Sequence, residues 1–517
     1  MSSRSFQVCS RVAIISFLLL LQTVLAFPQS AVTTWHYDNA RTGANTNETK
    51  LTPANVNQSS FGKLFTQPVD GAIIGQALYL PNIAIPGGGT HNVVYVATMH
   101  DSVYAFDADS ATGSNASPLW HTSFLSPGVT PIPVKLQRCG GTTHWQEVGV
   151  LSTPVIDPSS GTLFVVAKTL ENNVQVHRLH ALDVATGQEK PGSPVKITAS
   201  FVSDGKTYVF ADAMQVNRPA LLLQNGRLYI AFGSNGCRGG KEQGWVVSYD
   251  ASSLQFKGAF DTEPGNGGAG FWQKGGGLSA DASGNIYGET ADGPFTAGKN
   301  FGLSVLRFKQ AGNNLKLTDW FTPYNLDYLD SKDLDLNAPV LILPDQPGLH
   351  PHLALAVGKE GTVYVLDRDN MGHFCTNCTN GNTQIVQDLQ SLVGDETGAL
   401  IYWNNMIYSS QVAGPIRAYP ITNGLMGTTP LFESLSAVGE HSPVISANGN
   451  TSGILWQLNH QNLTAYDALT LKKLYTSKDA DNARDVLPDL PHFANFVVVN
   501  GKLYVGTNSS LVTYGLY

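Results

Sequence analysis

The chain has 517 residues, a formal net charge of −8 and only 14% charged residues, with 42% hydrophobic residues to furnish a large core. A pI near 5.9 and the lack of any Lys/Arg block exclude a polyanion such as nucleic acid as the expected partner. The 52 glycines and 27 prolines point to many short elements joined by turns rather than to long helices.

The N-terminus reads as a processing signal. Arg4 and Arg11 precede the apolar core Val12 to Leu21, interrupted only by Ser16, and Val24-Leu25-Ala26 places small residues where a signal peptidase reads them. Residues 1–26 are expected to be removed, leaving a soluble chain in the secreted or periplasmic space. The apolar run is too short to span a bilayer comfortably, and no later segment is apolar for eighteen residues. Cys9 precedes the apolar core and is not placed for lipidation. Residues 27–60 form a lead-in segment, and residues 61–517 are expected to form one domain, a monomer without a membrane span.

Across 61–517 one unit recurs: an apolar strand, a β-rich strand centred on an aromatic, a third strand often ending in an Asp-bearing turn, and an outer strand. The clearest second and third strands are Val93–Ala97 with Val103–Asp107, Leu163–Val166 with Leu179–Asp183, and Leu228–Ala231 with Val246–Asp250. Their alternation of apolar and polar residues predicts half-buried antiparallel strands. In Asp183 to Gly187, Asp caps the turn and Gly supplies a positive φ. The anchors Tyr95, Phe164, Tyr229, Tyr287, Leu355, Tyr408, Trp456 and Tyr504 count eight units. Their spacings vary too widely for a fixed-turn solenoid, whereas a propeller absorbs such variation in its face loops. The last unit has three strands before the chain stops, and Phe61-Gly62-Lys63-Leu64-Phe65 reads as an orphan outer strand. Pairing the two would close the ring and remove an open edge. The expected fold is all-β: a single eight-bladed β-propeller of four-stranded antiparallel blades, closed by an N-terminal outer strand.

Trp35, Asn39-Ala40-Arg41-Thr42-Gly43 and Leu51-Thr52-Pro53-Ala54-Asn55-Val56 resemble the lead-in of pyrroloquinoline-quinone-like propellers. The outer-strand pair Leu119-Trp120 and the Asp-bearing turns resemble their repeats. Leu343 to Gly348 and Gly358 to Thr362 resemble an exported branch of that family. The resemblance covers essentially the whole mature chain. It implies a quinoprotein alcohol dehydrogenase-like fold, and in that fold the loops between second and third strands share a face with the inter-blade loops, over the central channel. A fold of this kind does not fix function.

That face is expected to carry His100, His144, Trp145, Glu147, Arg238, Lys241, Trp272, Gln273, Lys359, Glu360, Glu440 and His441. A bound quinone with calcium would need cations for its carboxylates, a flat aromatic, oxygen ligands and a general base. Trp272 is the candidate for stacking, Arg238 and Lys359 for carboxylate binding, and Glu147 for base or calcium ligand. The plainer reading has Trp272 packing between blades and the charged loop residues solvated. The family's dehydrogenases usually place two adjacent cysteines beside the cofactor, and neither a Cys-Cys pair nor a Cys-x-x-Cys-His haem site occurs here.

Of the four cysteines beyond the signal, Cys139 and Cys237 fall in channel-face loops, where the family geometry allows a disulfide between them; two free thiols are the alternative. Cys375 and Cys378, with His373 nearby, read as a local disulfide or as metal ligands, the exported setting favouring the disulfide. The acidic run Asp327, Asp330, Asp333, Asp335 with Asn337 reads as a calcium ligand set or as a solvated loop, and it lacks the glycine and terminal glutamate of a twelve-residue calcium loop. Asn-x-Ser/Thr sequons stand at Asn47, Asn57, Asn115, Asn377, Asn450, Asn462 and Asn508. Two functions remain: a non-catalytic binding or scaffold module for a carbohydrate or protein partner, and a quinone- and calcium-dependent dehydrogenase of sugars or alcohols.

Overall fold

The computed structural model describes residues 30–136, 146–234, 243–265, 267–395, 397–435 and 441–517. Eight antiparallel sheets follow one another along the chain as the blades of a propeller. The first blade runs outward through Leu78–Ile85, Gly89–Thr98, Ser102–Asp107 and Trp120–Ser123. All eight aromatic or leucine anchors lie in second strands, from Tyr95 in Gly89–Thr98 to Tyr504 in Lys502–Gly506. The last blade takes Phe496–Val499, Lys502–Gly506 and Ser510–Leu516 from the end of the chain and Phe61–Pro68 from its beginning. Phe61 pairs with Leu516 and Pro68 with Ser510, so the ring is closed by an N-terminal outer strand and the last blade keeps no bare third strand.

The central strands are not half-buried, as their alternation suggested. Each blade is sandwiched between two others, so both faces of its middle strands are dry. In the second blade Leu163, Val165 and Ala167 pack against Tyr95 and Val103 of the first, while Phe164 and Val166 pack against Leu228, Ile230 and Trp245 of the third. Successive side chains point to opposite faces of a strand, so one pleat serves two cores. The eighth blade likewise packs against the seventh through Phe496, Val498 and Leu503, and against the first through Val497, Val499 and Tyr504. The anchor aromatic also explains itself: Tyr95, Tyr408 and Tyr504 each donate their hydroxyl to the carbonyl of the residue that follows the turn aspartate of the next blade, at Val184, Ala468 and Ala108. Those bonds tie blade to blade around the ring, with Tyr504 reaching from the last blade to the first.

The lead-in does more than precede the ring. Residues 32–45 thread across the hub and meet the innermost strand of every blade. Val32 pairs with Tyr79 of the first, and Thr33 O accepts from Ile156 N of the second at 2.8 Å. Asn39 Nδ2 donates to Leu223 O of the third at 2.8 Å, while Asn39 O accepts from Ala280 N of the fourth at 2.7 Å. Ala40, Thr42 and Gly43 accept in turn from Ile342, Tyr402 and Ile445 of the fifth, sixth and seventh, each at 2.9 Å. Asn45 Nδ2 reaches Val498 O of the eighth at 3.0 Å. Inner strands with one free edge would otherwise leave backbone groups unpaired around an open channel. Gly43, at φ 72°, passes so close to Ile401 that a Cβ would sit 2.3 Å from its Cδ1.

Arg41 is fully buried in this hub, donating from Nε to Leu278 O at 2.9 Å and from Nη1 to Thr34 Oγ1 and Trp35 O at 2.8 Å. Burial pulls its guanidinium down to about 10, with Asp38 opposing that shift. The Trp35 indole is wholly buried among Ala220 and Ala399, and Gly276 is glycine because a Cβ there would stand 2.7 Å from Trp35 Cη2.

Candidate functional site

Above the plugged hub, loops from successive blades form the channel face. The segment entering the fourth blade bends across it: Gln273, Lys274 and Gly275 all have positive φ. Lys274 Nζ donates to Thr397 O, before the sixth blade, at 2.9 Å. A Cβ on Gly275 would lie 3.2 Å from Asn495 Nδ2 and 3.6 Å from Phe493 Cβ, both entering the eighth blade. The hub is thus filled from one side by the lead-in and spanned on the other by residues 272–276.

Trp272 is partly exposed on this span. Its companions are Arg218, whose guanidinium carbon lies 5.7 Å from the indole and 3.7 Å from the Phe493 ring. Arg218 and Phe493 carry no signal in the sequence, since only the ring brings the third and eighth blades' entry loops together. Arg238, a candidate for carboxylate binding, lies outside the described residues, as do Cys139, Cys237, His144, Trp145, Lys241 and Glu440.

Glu147 stands at the boundary of the first and second blades, in the short strand Glu147–Val148, and its Oε1 lies 2.8 Å from His100 Nδ1. Lys359 projects from the fifth blade and is engaged by acids, with Nζ 2.6 Å from Asp335 and 3.4 Å from Asp333. The structure therefore gives Glu147, Trp272 and Lys359 three separate sets of partners. Gln273 and His441 are buried rather than displayed, Gln273 Nε2 donating to Glu289 O at 2.8 Å and His441 O accepting from Gln457 Nε2 at 2.6 Å.

The acidic run is divided by the short helix Leu326–Ser331. Asp327 is exposed on the helix, Asp330 accepts from Gly293 N at 3.3 Å, and Asp335 is buried, accepting from Asp292 N at 2.9 Å. Ligand atoms of Asp292, Asp333 and Asp335 come within 4.8 Å of one another. The Lys359 ammonium sits against two of the three and supplies the positive charge there; burial nonetheless keeps the Asp335 carboxyl above its usual range. Cys375 and Cys378 are joined in a disulfide between the third and fourth strands of the fifth blade, on the opposite face. His373 is not turned to them for metal binding: it pairs with Asp319 at 2.9 Å and stacks on Trp320 at 3.8 Å.

Two further acids escape sequence reasoning. Asp261 and Glu263 leave the outer strand Phe256–Asp261 and are fully buried, Glu263 Oε2 accepting from Asn300 Nδ2 at 2.7 Å and Asp261 Oδ1 from Glu263 N at 3.0 Å. Asp261 Oδ2 and Glu263 Oε1 have no donor. Burial pushes Asp261 up to about 7; burial, reinforced by the nearby Asp261, pushes Glu263 up to about 8.

No protein-family model matches the chain, and no curated protein does. Solved structures do. The quinohemoprotein alcohol dehydrogenase ADHIIG from Pseudomonas putida HK5 is similar over 94% of this chain and 80% of that one, with a TM-score of 0.59 and 13% identity. A europium-containing methanol dehydrogenase matches over 95% and 99% at TM-score 0.58 and 13% identity, and BamB from Moraxella catarrhalis over 88% and 99% at 0.52 and 10%. These likenesses define the fold: an eight-bladed β-propeller of the type that pyrroloquinoline-quinone dehydrogenases use. At such identities they define nothing finer.

Pyrroloquinoline quinone is a rigid planar tricarboxylate, and a seat for it over the channel needs a clear slab, free cations and a carboxylate-lined calcium position. Among the described residues that seat is not assembled. The chain's own residues 272–276 cross the hub, the Lys359 ammonium is held by Asp335 and Asp333, and Glu147 is bonded to His100 on another blade boundary. The described residues do not fit the group.

Proposed function

We propose that this protein is an exported, monomeric propeller acting without catalysis, as a binding or scaffold module for a carbohydrate or protein partner on its channel face. The observation that carries the reading is the filled hub. Residues 32–45 bond to all eight inner strands, and residues 272–276 cross above them, so the axial position belongs to the chain itself. Recognition is then left to the clefts between blades, which polar loop side chains line. The alternative, a quinone- and calcium-dependent dehydrogenase of sugars or alcohols, draws its support from the fold shared with two dehydrogenases. A glycan array probed with the chain lacking residues 1–26 tests the carbohydrate arm: retention of a defined set of glycans supports it, and an array blank at micromolar protein removes it in favour of a protein partner.

A further inference from the structure

The Cys375–Cys378 disulfide sits in the loop between Val363–Asp367 and Gln387–Leu389 of the fifth blade, where that loop passes outside the outer strand of the fourth. The legs of the loop are held without it. His373–Phe374 pairs in parallel with Phe321–Thr322, and the Phe374 ring lies 5.2 Å from that of Phe295. Gln384 Nε2 donates to His373 O at 3.3 Å, and a Cβ on Gly372 would stand 2.6 Å from Gln384 O, so the two legs meet below the disulfide. Asn382 fastens the returning leg, its N donating to Asp388 Oδ2 at 2.6 Å and its Oδ1 accepting from Tyr324 N at 2.8 Å. Inside this frame the covalent link joins residues only 3 positions apart.

A bond that does little for the fold receives little protection from it. The coupling is reciprocal: the free energy by which a disulfide stabilises a fold equals the free energy by which the fold resists its reduction. A very short loop makes that coupling small. Nor does packing shield the link, since both cysteines are partly exposed and Thr376, Asn377, Thr379 and Asn380 are fully so. Exposed disulfides are the labile ones, open to exchange with thiols. The span from Phe374 to Gln387 carries no charged residue, so its own side chains do not repel an anionic thiol.

The two sulfurs are not equivalent. A disulfide sulfur carries no proton, so in the 3.3 Å contact between Thr383 Oγ1 and Cys378 Sγ the hydroxyl is the donor. The same hydroxyl stabilises negative charge at Cys378 when the S–S bond breaks, and a stabilised thiolate leaves faster. Among the described residues no such donor stands at Cys375 Sγ.

We propose that Cys375–Cys378 is a thiol-exchange site, at which the thiolate of a low-molecular-weight thiol adds to Cys375 Sγ and expels Cys378 Sγ. As the new S–S bond forms the old one breaks, its electron pair passing to Cys378 Sγ beside the Thr383 hydroxyl. A second thiol then attacks the mixed disulfide. Two thiols thereby give up two electrons and two protons to become one disulfide, and the cysteine pair takes them up as two thiols. The site is independent of any partner on the channel face.

The test incubates the folded chain without residues 1–26 in millimolar reduced glutathione near neutral pH, traps free thiols with N-ethylmaleimide, and maps the products by peptide mass spectrometry. The peptide holding Cys375 and Cys378 is read separately from those of Cys139 and Cys237. At least half of the pair is expected to open while the circular dichroism of the blades stays unchanged, with glutathione found on Cys375. Thr383→Val should open about threefold to tenfold more slowly, as loss of one hydrogen bond to the leaving sulfur requires. Thr383→Ser, which keeps the hydroxyl, should open at the parent rate. Thr383 is exposed, so neither replacement threatens the fold. A pair that stays closed until guanidinium unfolds the chain would make the bond a staple and overturn the proposal. Glutathione found on Cys378 instead, or a Thr383→Val rate equal to the parent's, would overturn it as well.

Discussion

The Trp35 indole N–H donates to Asn495 Oδ1 at 2.9 Å across 460 positions of sequence, both residues buried. Asn495 passes the link on, its Nδ2 donating to Ile74 O at 2.9 Å and to Phe493 O at 3.0 Å. One side chain of the lead-in is thereby fastened to the entry loops of the eighth and first blades, where the ring closes. The lead-in acts as a spindle on which the blades are assembled.

Removing the indole tests that role. Trp35→Phe keeps most of the apolar volume but strands Asn495 Oδ1, and is expected to cost about 1–3 kcal/mol. Trp35→Ala empties the hub and is expected to cost about 3–5 kcal/mol. Asn495→Ala combined with Trp35→Phe should cost less than the two singles together, because they remove the same bond. Urea midpoints of the parent and the four variants measure all three quantities.

Ring closure predicts a second sensitivity. Phe61 packs its ring against Tyr475 at 5.0 Å, Trp456 at 5.3 Å and Tyr514 at 6.3 Å, joining the N-terminal strand to the seventh and eighth blades. Phe61→Ala is expected to destabilise by about 3–5 kcal/mol. It should also free the edge of Ser510–Leu516 for pairing between molecules. Light scattering during a thermal ramp should register aggregation at a lower temperature than in the parent protein.

The buried acids Asp261 and Glu263 set a pH dependence. Their folded values, about 7 and about 8, stand above ordinary carboxyl values near 4. The folded state thus holds their protons more tightly than the unfolded state does. Their contribution is fully present below about pH 4 and is lost as the pH rises from there to about 8. Glu263→Gln keeps the hydrogen bond from Asn300 and cannot ionise, so it should flatten this decline and be more stable than the parent at pH 8 by at least about 1 kcal/mol. Denaturation midpoints between pH 5 and 9 decide the sign.

The Cys375–Cys378 disulfide closes a very short loop, and loop-closure entropy limits its contribution to about 2 kcal/mol. Reduction with dithiothreitol, or Cys375→Ser with Cys378→Ser, should lower the melting temperature slightly and leave the circular dichroism of the blades unchanged.

The blades were legible because their chemistry is local. Tyr95, Tyr408 and Tyr504 announce second strands through β-propensity, and the Asp turns that follow third strands carry their own caps, Asp183 Oδ1 accepting from Ala185 N and Thr186 N. The orphan strand at Phe61 was legible by counting. The spindle was not, because Trp35, Asn39 and Arg41 form no regular element and find their partners hundreds of residues away. Half-burial was misread for a related reason: a strand between two blades is dry on both faces, and alternation in sequence does not report what packs on the second face. On the channel face, chain position predicted which loops gather but not how charges pair. Lys359 was expected to be available for a carboxylate ligand and is instead held by Asp335, and Arg218, a residue the sequence does not single out, lies against Trp272.

The central claim, that the chain fills its own axial position and works as a recognition scaffold, meets its most direct test in calorimetric titration of the chain without residues 1–26 with pyrroloquinoline quinone and calcium, followed by dye-linked assay on alcohols and sugars. The account predicts no stoichiometric binding at micromolar quinone and no dye reduction. Tight one-to-one binding with substrate-dependent reduction of the dye would contradict it and make the protein a quinoprotein dehydrogenase.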